Sequence, residues 1–317
     1  MNVLEKIKSA KSPLFTFELL PPLKGRSIDK IYETIECLLE FEPAYINFTS
    51  HRDEIVYKEK DDGSIEKLVV RKRPGTIALA AAVKYKYNIT VVPHMVCGGF
   101  TKEETENALI EMDFLGINDV LALRGDAPKG MKRFVAEKDG HKHTSGLVKQ
   151  IVNMNRGKYL DITLKNAKPT NFCIGVAGYP EKHFEAPNME TDLANLKLKI
   201  DTGGDYIVTQ MFFDNAKYFR FVDDCRRIGI KVPIIPGIKP ISAKSDIELL
   251  PQTFSIDLPN KLYQAIKKCG NDDDAREVGI EWATQQTREL IAGGVPGIHF
   301  YTLGRSDNVA RIVKAAY

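Results

Sequence analysis

Nothing in this chain reads as a disulfide or metal framework. Five cysteines stand at 37, 97, 173, 225 and 269, an odd number with no Cys-x-x-Cys pair. That spacing excludes a regular disulfide scaffold and points to a reducing compartment. No Cys/His cluster has the spacing of zinc ligands, so no metal site is expected. No apolar run approaches the roughly 20 residues of a membrane span. The N-terminus, Met1-Asn-Val-Leu-Glu-Lys-Ile-Lys8, lacks the apolar stretch of a signal peptide. The expectation is a cytoplasmic protein with no membrane association. A large excess of one charge is missing too. The formal net charge is +3 over 317 residues, from 45 Lys+Arg and 42 Asp+Glu, which argues against a nucleic-acid partner. The basic run Val70-Arg-Lys-Arg-Pro74 follows an acidic, lysine-rich stretch and reads as a solvated loop. There are no internal repeats, no low-complexity tracts and no composition break that marks a second domain. A Gly-x-Gly-x-x-Gly turn after the first strand-like run is also absent.

What is present is alternation. Strand-like apolar runs lie at 14–20, 45–50, 90–97, 119–125, 172–179, 206–213, 233–239 and 297–303. Amphipathic segments lie between them at 28–40, 76–87, 102–115, 145–155, 190–202, 215–228, 242–250, 259–268, 274–292 and 305–316. Alternating β and α units imply a parallel sheet. Eight such units are the number that closes a (β/α)₈ TIM barrel, here over residues 1–317 as a single domain. An open doubly wound sheet competes, but the missing glycine turn counts against it. The charged stretch at about 51–73 reads as an excursion after the second strand, with Ile55-Val-Tyr and Leu68-Val-Val flanking a hairpin tip. The segment from Pro251 to Pro259 reads as irregular. Thr101-Lys-Glu-Glu104 is a capping box, Asp214 opens a helix, and Gly203-Gly204, Gly229 and Gly293-Gly294 close helices.

Several polar groups fall near the ends of these apolar runs. Glu18 sits among Phe15, Phe17, Leu19 and Leu20. Burial there would favour its protonated form, which suits a general acid, although a salt bridge would explain it equally. Leu121-Ala-Leu-Arg-Gly-Asp126 delivers a cation and an anion to one spot, where the two would also simply neutralise each other. Gln210 is an amide in an apolar strand and can donate and accept at once. His94 reads by default as a satisfied core histidine, and His183 as an ordinary loop residue. Asp192, Asn195 and Lys199 share one helix face, which a solvated surface explains as well. Arg305 follows the last run, where anionic groups often bind. Their convergence on predicted strand ends is what points to an enzyme.

Seven motifs in order resemble one family. They are Phe17-Glu-Leu-Leu-Pro-Pro22, Leu121-Ala-Leu-Arg-Gly-Asp126, Ala177-Gly-Tyr-Pro-Glu-Lys-His183, Asp192-Leu-Ala-Asn-Leu-Lys-Leu-Lys199, Val208-Thr-Gln-Met-Phe-Phe-Asp214, Ile234-Ile-Pro-Gly-Ile238 and His299-Phe-Tyr-Thr-Leu-Gly-Arg305. The chain resembles methylenetetrahydrofolate reductase in its compact bacterial, catalytic-domain form. The resemblance implies a (β/α)₈ barrel that holds FAD without a Rossmann fingerprint. It also implies reduction of 5,10-methylenetetrahydrofolate to 5-methyltetrahydrofolate, with NADH or NADPH as hydride donor and the flavin as relay. One pocket would serve both substrates in turn, in a homo-oligomer. By motif, Glu18 would be the general acid that helps open the folate ring, and Asp126 would lie between flavin and pterin. Gln210 and Arg305, with Tyr301 beside them, would meet the substrate. Thr49, His51, His94, Arg124, Gly125, Asp126, Tyr179, His183, Ala186, Asp192, Asn195 and Lys199 would hold FAD. Three positions depart from the family pattern: Ser50-His51 where many members have Tyr, Asp246 where they have Gln, and Leu250 where some have Phe. A lyase or aldolase using Lys239, and a barrel that only binds a ligand, are the competing readings.

Overall fold

The apolar runs pair in parallel, and the sheet they form closes on itself. In the computed structural model every residue is described except 129, 130, 132 and 303–305. The chain opens with α1 (Val3–Ser9), β1 (Leu14–Leu19), α2 (Asp29–Glu36) and a single 3₁₀ turn, Leu39–Phe41. It continues through β2 (Tyr45–Phe48), β3 (Glu54–Glu59), β4 (Ile65–Val70), α3 (Thr76–Tyr87), β5 (Thr90–Val96), α4 (Lys102–Phe114), β6 (Asp119–Leu123) and α5 (Thr144–Met154). Next come β7 (Cys173–Gly178), α6 (Met189–Thr202), β8 (Tyr206–Met211), α7 (Asn215–Arg227), β9 (Ile234–Ile238) and α8 (Asp246–Phe254). The last elements are α9 (Asn260–Lys268), α10 (Asp272–Ala292), β10 (Gly297–Tyr301) and α11 (Ser306–Ala316). The barrel order is β1-β10-β9-β8-β7-β6-β5-β2, and β3 pairs with β4 as a separate antiparallel ribbon. That ribbon is the expected excursion.

Alternation along each strand separates two cores. Phe17, Leu19, Phe48, Val120, Val176, Ile207, Ile298 and Phe300 point outward into the layer shared with the helices. Tyr45, Val92, Leu121, Cys173, Tyr206, Val208 and Ile235 fill the barrel's interior. This is a packed interior rather than a pore. Tyr206 lies over its register partner on the adjacent strand, Gly175, where a Cβ would come within 2.5 Å of the ring.

α1 plugs the end where the strands begin. Its Val3 is fully buried against the inner cluster, and the Val3 amide donates to Asp119 Oδ1 at 2.7 Å. Sequence reading gave no element there. The local signal is a reciprocal Asn2–Glu5 capping box on a helix of only seven residues. The other caps behave as expected. Thr101 and Glu104 form their box, and Asp214 accepts from the Ala216 amide at 2.9 Å.

Three boundaries differ from expectation: the helix expected at 28–40 ends at Glu36, the one expected at 242–250 begins at Asp246, and its other end moves too. α8 does not stop before Pro251 but runs through it to Phe254, so only 255–259 is irregular. Proline costs a helix one backbone bond. Here Leu250 is buried and clusters with Met211, Phe213 and Leu262, with Phe254 packed against them. Tertiary burial of that face outweighs the lost bond.

Candidate active site

At the carboxyl ends of the strands, parallel pairing brings distant residues into register. Glu18 is the Cα partner of Tyr301 on one side and Asn47 on the other. Thr16 is the partner of His299. Glu18 is 7% exposed. Its Oε2 lies 3.7 Å from His94 Nε2 and 3.6 Å from His299 Nε2. Neither approach is a hydrogen bond.

The Glu18–His94 approach is also not an ion pair at neutral pH. Burial pushes the His94 pKa down to about 4, against a partial upward pull from Glu18. Asn47 Nδ2 faces His94 Nε2 at 3.2 Å, and an amide nitrogen can only donate. That nitrogen of His94 therefore carries a lone pair. His299 Nδ1 is 2.8 Å from Thr16 Oγ1, while its buried Nε2 has no hydrogen-bond partner among the described residues. Asn47 Oδ1 is likewise buried and unsatisfied. Buried polar atoms normally find a partner in protein, water or ligand, and these two lie beside Glu18.

The neighbouring strand ends continue the rim. Thr49 follows β2 and shares a 2.9 Å hydrogen bond with His51 Nε2. Burial lowers the His51 pKa, Arg73 lowers it further, and Asp126 and Glu18 oppose the change. Arg124, Gly125 and Asp126 follow β6. Gly125 adopts φ +83, a left-handed conformation, and a Cβ there would meet Val96 at 3.4 Å. Arg124 forms a 2.5 Å ion pair with Glu185 and lies over the Phe134 ring. Burial pushes the Glu185 pKa up, but Arg124 outweighs that and the net direction is down.

Tyr179 follows β7, and its ring meets His183 edge-on at 4.7 Å. Asp192 Oδ2 accepts from the His183 amide at 3.0 Å, and Lys199 Nζ donates to the Ala177 carbonyl at 2.6 Å. Ala186 closes the same loop by donating to the His183 carbonyl. Burial lowers the His183 pKa, with Arg124 adding to the effect. Burial also lowers the Lys199 pKa, to about 8. Asn195 is exposed on the same helix. The rim thus carries Arg124 and Lys199, with Arg73 acting on His51, beside three imidazoles held towards their neutral form.

Gln210, in β8, accepts from the Met211 amide through Oε1 at 2.9 Å. Tyr301 donates from its hydroxyl to the Thr209 carbonyl at 2.6 Å, crossing above Gly237 of β9. So Glu18, Thr49, His51, His94, Arg124, Gly125, Asp126, Tyr179, His183, Gln210 and Tyr301 all come from one end of the barrel. Arg305 lies outside the described residues.

A model of the methylenetetrahydrofolate reductase family matches residues 3–317. The chain belongs to that family. The methylenetetrahydrofolate reductase (NADH) 1 of Arabidopsis thaliana is 33% identical to it, over 96% of this chain and 48% of its own. The 5,10-methylenetetrahydrofolate reductase of Salmonella typhimurium is 28% identical, over 92% and 86%. The chain spans about half the length of the plant and nematode reductases it matches. A solved structure from Clostridium thermocellum, described as binding two copies of 5-methyl-5,6,7,8-tetrahydrofolic acid, superposes with a TM-score of 0.61. It is 15% identical over 98% of this chain and 97% of its own, a likeness of fold alone.

Sequence reading missed several residues that the strand ends bring together. Asn47, His299 and Glu185 become visible only through pairing across strands and loops. Lys239, weighed as a Schiff-base lysine, is buried at the end of β9 and lies 3.9 Å from Asp246. Asp246 in turn accepts from the Ser242 and Ala243 amides at 2.7 and 3.2 Å. The carboxylate at this departure from the family pattern is thus engaged by its own loop.

Proposed function

We propose that the chain reduces 5,10-methylenetetrahydrofolate to 5-methyltetrahydrofolate with bound FAD and a reduced nicotinamide. The observation that carries this reading is Glu18. It is a buried carboxyl at the mouth of a family-matched barrel, flanked by two imidazole nitrogens and hydrogen-bonded to neither. The donor set fits FAD. Arg124 and Lys199 supply positive charge for a dinucleotide, Tyr179 and His183 supply rings, and the orphaned His299 Nε2 lies beside Glu18. Bound FAD would carry two electrons from NADH or NADPH to the folate. Thr49, His51, His94, Gly125, Ala186, Asp192 and Asn195 belong to the same binding surface in this reading.

Glu18 would hand a proton to the folate nitrogen whose C–N bond breaks as the five-membered ring opens. The cationic iminium left behind is the hydride acceptor. Asp126, exposed at the rim, would favour that cation by its negative charge. Gln210 has its oxygen engaged by its own backbone neighbour, so its amide nitrogen is the group left for the pterin edge. Tyr301 has committed its proton to Thr209 and offers the substrate a ring face and a lone pair. Arg305, by its motif, belongs to the substrate side. Homo-oligomerisation, and a supply of methyl groups for methionine, go with this reading.

Anaerobic stopped flow tests the reading. Purified protein should be yellow, bleach on NADH or NADPH, and recover colour on methylenetetrahydrofolate. Glu18→Gln should slow the recovery at least a hundredfold and leave bleaching nearly unchanged. Colourless protein that cannot be reconstituted with FAD would defeat the reading.

A further inference from the structure

Two imidazoles flank the Glu18 carboxyl, and they are not equivalent. Both present Nε2 to the same oxygen, Oε2, His299 at 3.6 Å and His94 at 3.7 Å. At His94 that nitrogen already takes a hydrogen from the Asn47 amide at 3.2 Å. A ring nitrogen that accepts carries no proton of its own. His94 therefore has nothing to donate to Glu18 from that side.

His299 is committed the other way round. It belongs to β10 and is 0% exposed, as is Thr16, its register partner in β1. The Thr16 hydroxyl lies 2.8 Å from His299 Nδ1 and has no other hydrogen-bond partner among the described residues. Tyr45, the register partner of Thr16 on the opposite side, keeps its own hydroxyl buried without a hydrogen bond. A buried hydroxyl hydrogen needs an acceptor, and Nδ1 is the one within reach. Thr16 thus donates to Nδ1, and the ring's own hydrogen sits on Nε2, the atom aimed at Glu18. The Tyr301 ring stands edge-on to the imidazole, with 5.2 Å between centroids and 89° between planes. That packing limits how far the imidazole can turn away.

A gap of 3.6 Å is too long for a hydrogen bond. A full bond in the resting site would favour the carboxylate over the acid. A contact that closes only as Glu18 loses its proton acts on the transfer itself. Interactions that strengthen in the transition state raise the rate rather than the binding of substrate.

We propose that His299 is the positioning residue that receives the Glu18 carboxylate. The Glu18 O–H bond breaks as the folate nitrogen gains the proton and its C–N bond opens. The negative charge left on Oε2 draws in the Nε2 hydrogen of His299, and that hydrogen stays on the ring throughout. A charge-assisted bond thus forms as the iminium appears. Glu18's part as an acid rests on the folate-reductase reading; the orientation of the imidazole does not.

Two measurements on the holoenzyme test this. Long-range proton–nitrogen NMR of labelled protein reads the ring directly, with the His299 signals assigned by their loss in His299→Gln. A hydrogen on Nε2 is expected. A hydrogen on Nδ1 overturns the proposal, whatever the enzyme does. Stopped flow reads the consequence. His299→Phe should slow the recovery of flavin colour with methylenetetrahydrofolate at least roughly thirtyfold more than it slows bleaching by NADH or NADPH. The half-saturating folate concentration should stay within about threefold. His299→Gln returns an N–H at a similar reach and should recover most of the lost rate. If His299 acts through Glu18, adding His299→Phe to Glu18→Gln should cost less than about twofold beyond Glu18→Gln alone. Losses that multiply reveal a merely structural part and overturn the proposal, as does unslowed recovery in His299→Phe. Wild-type flavin that neither nucleotide bleaches would instead sink the functional reading, leaving the position of the ring hydrogen to decide the donor.

Discussion

Replacing His94 with glutamine changes how the protein's stability depends on pH. Burial inside the barrel lowers the His94 pKa from 6.5 to about 4. Below pH 6.5 the unfolded chain takes up a proton that the folded chain refuses until about pH 4. Stability rises with pH wherever the unfolded state binds more protons. The contribution is therefore complete above pH 6.5 and lost as pH falls towards 4. Integrated over both pKa values, the loss is about 2 kcal/mol between pH 7 and pH 5 and about 3 kcal/mol in full. His94→Gln removes the titration while leaving an amide for Asn47 to bond. Its own cost at pH 7 should be about 1 kcal/mol. Urea unfolding at pH 5 and pH 7, followed by the fluorescence of the chain's one tryptophan, Trp282, measures the difference. Other groups titrate as well. Asp119, raised to about 6 by burial, works in the opposite direction. It does so in both proteins and cancels from the comparison. If wild type and variant lose the same stability between pH 7 and pH 5, the buried neutral imidazole is wrong.

Other expectations follow from the same geometry. Lys199, lowered to about 8 by burial, keeps its charge at pH 7 and loses it above. FAD affinity should then fall as pH rises past 8, by up to about tenfold per unit. Lys199→Met should weaken binding at pH 7 and flatten that slope in a fluorescence titration of apoprotein with FAD. Gly237→Ala would set a Cβ 2.4 Å from the Thr209 carbonyl and 2.6 Å from the Tyr301 ring. The backbone cannot yield there, so a cost of at least about 2 kcal/mol is expected, read as a lowered melting temperature with weakened folate binding. An unchanged melting temperature would show that Tyr301 is free to leave its place over β9.

Much of this molecule is legible in its sequence. Eight apolar runs alternate with amphipathic segments, and burial on both faces of a parallel strand explains why each run is nearly continuous. Polar residues interrupt those runs at Glu18, His94 and Gln210, and a buried polar group must find a partner or a ligand. Strand ends therefore announced the rim. α1 went unread because seven residues carry too little periodicity, and α8 outran Pro251 because packing overrode a local breaker.

The chain's own letters thus determine where strands begin, which residues are too polar for their surroundings, and which family the motifs belong to. Closure of the sheet decides the rest. It sets Tyr301 beside Glu18 across 283 positions of chain and turns His299 towards the same carboxyl. It also carries the end of α8 to Tyr179 and Gln210. Register between strands is fixed by packing around the whole barrel, and no local stretch of sequence contains that information.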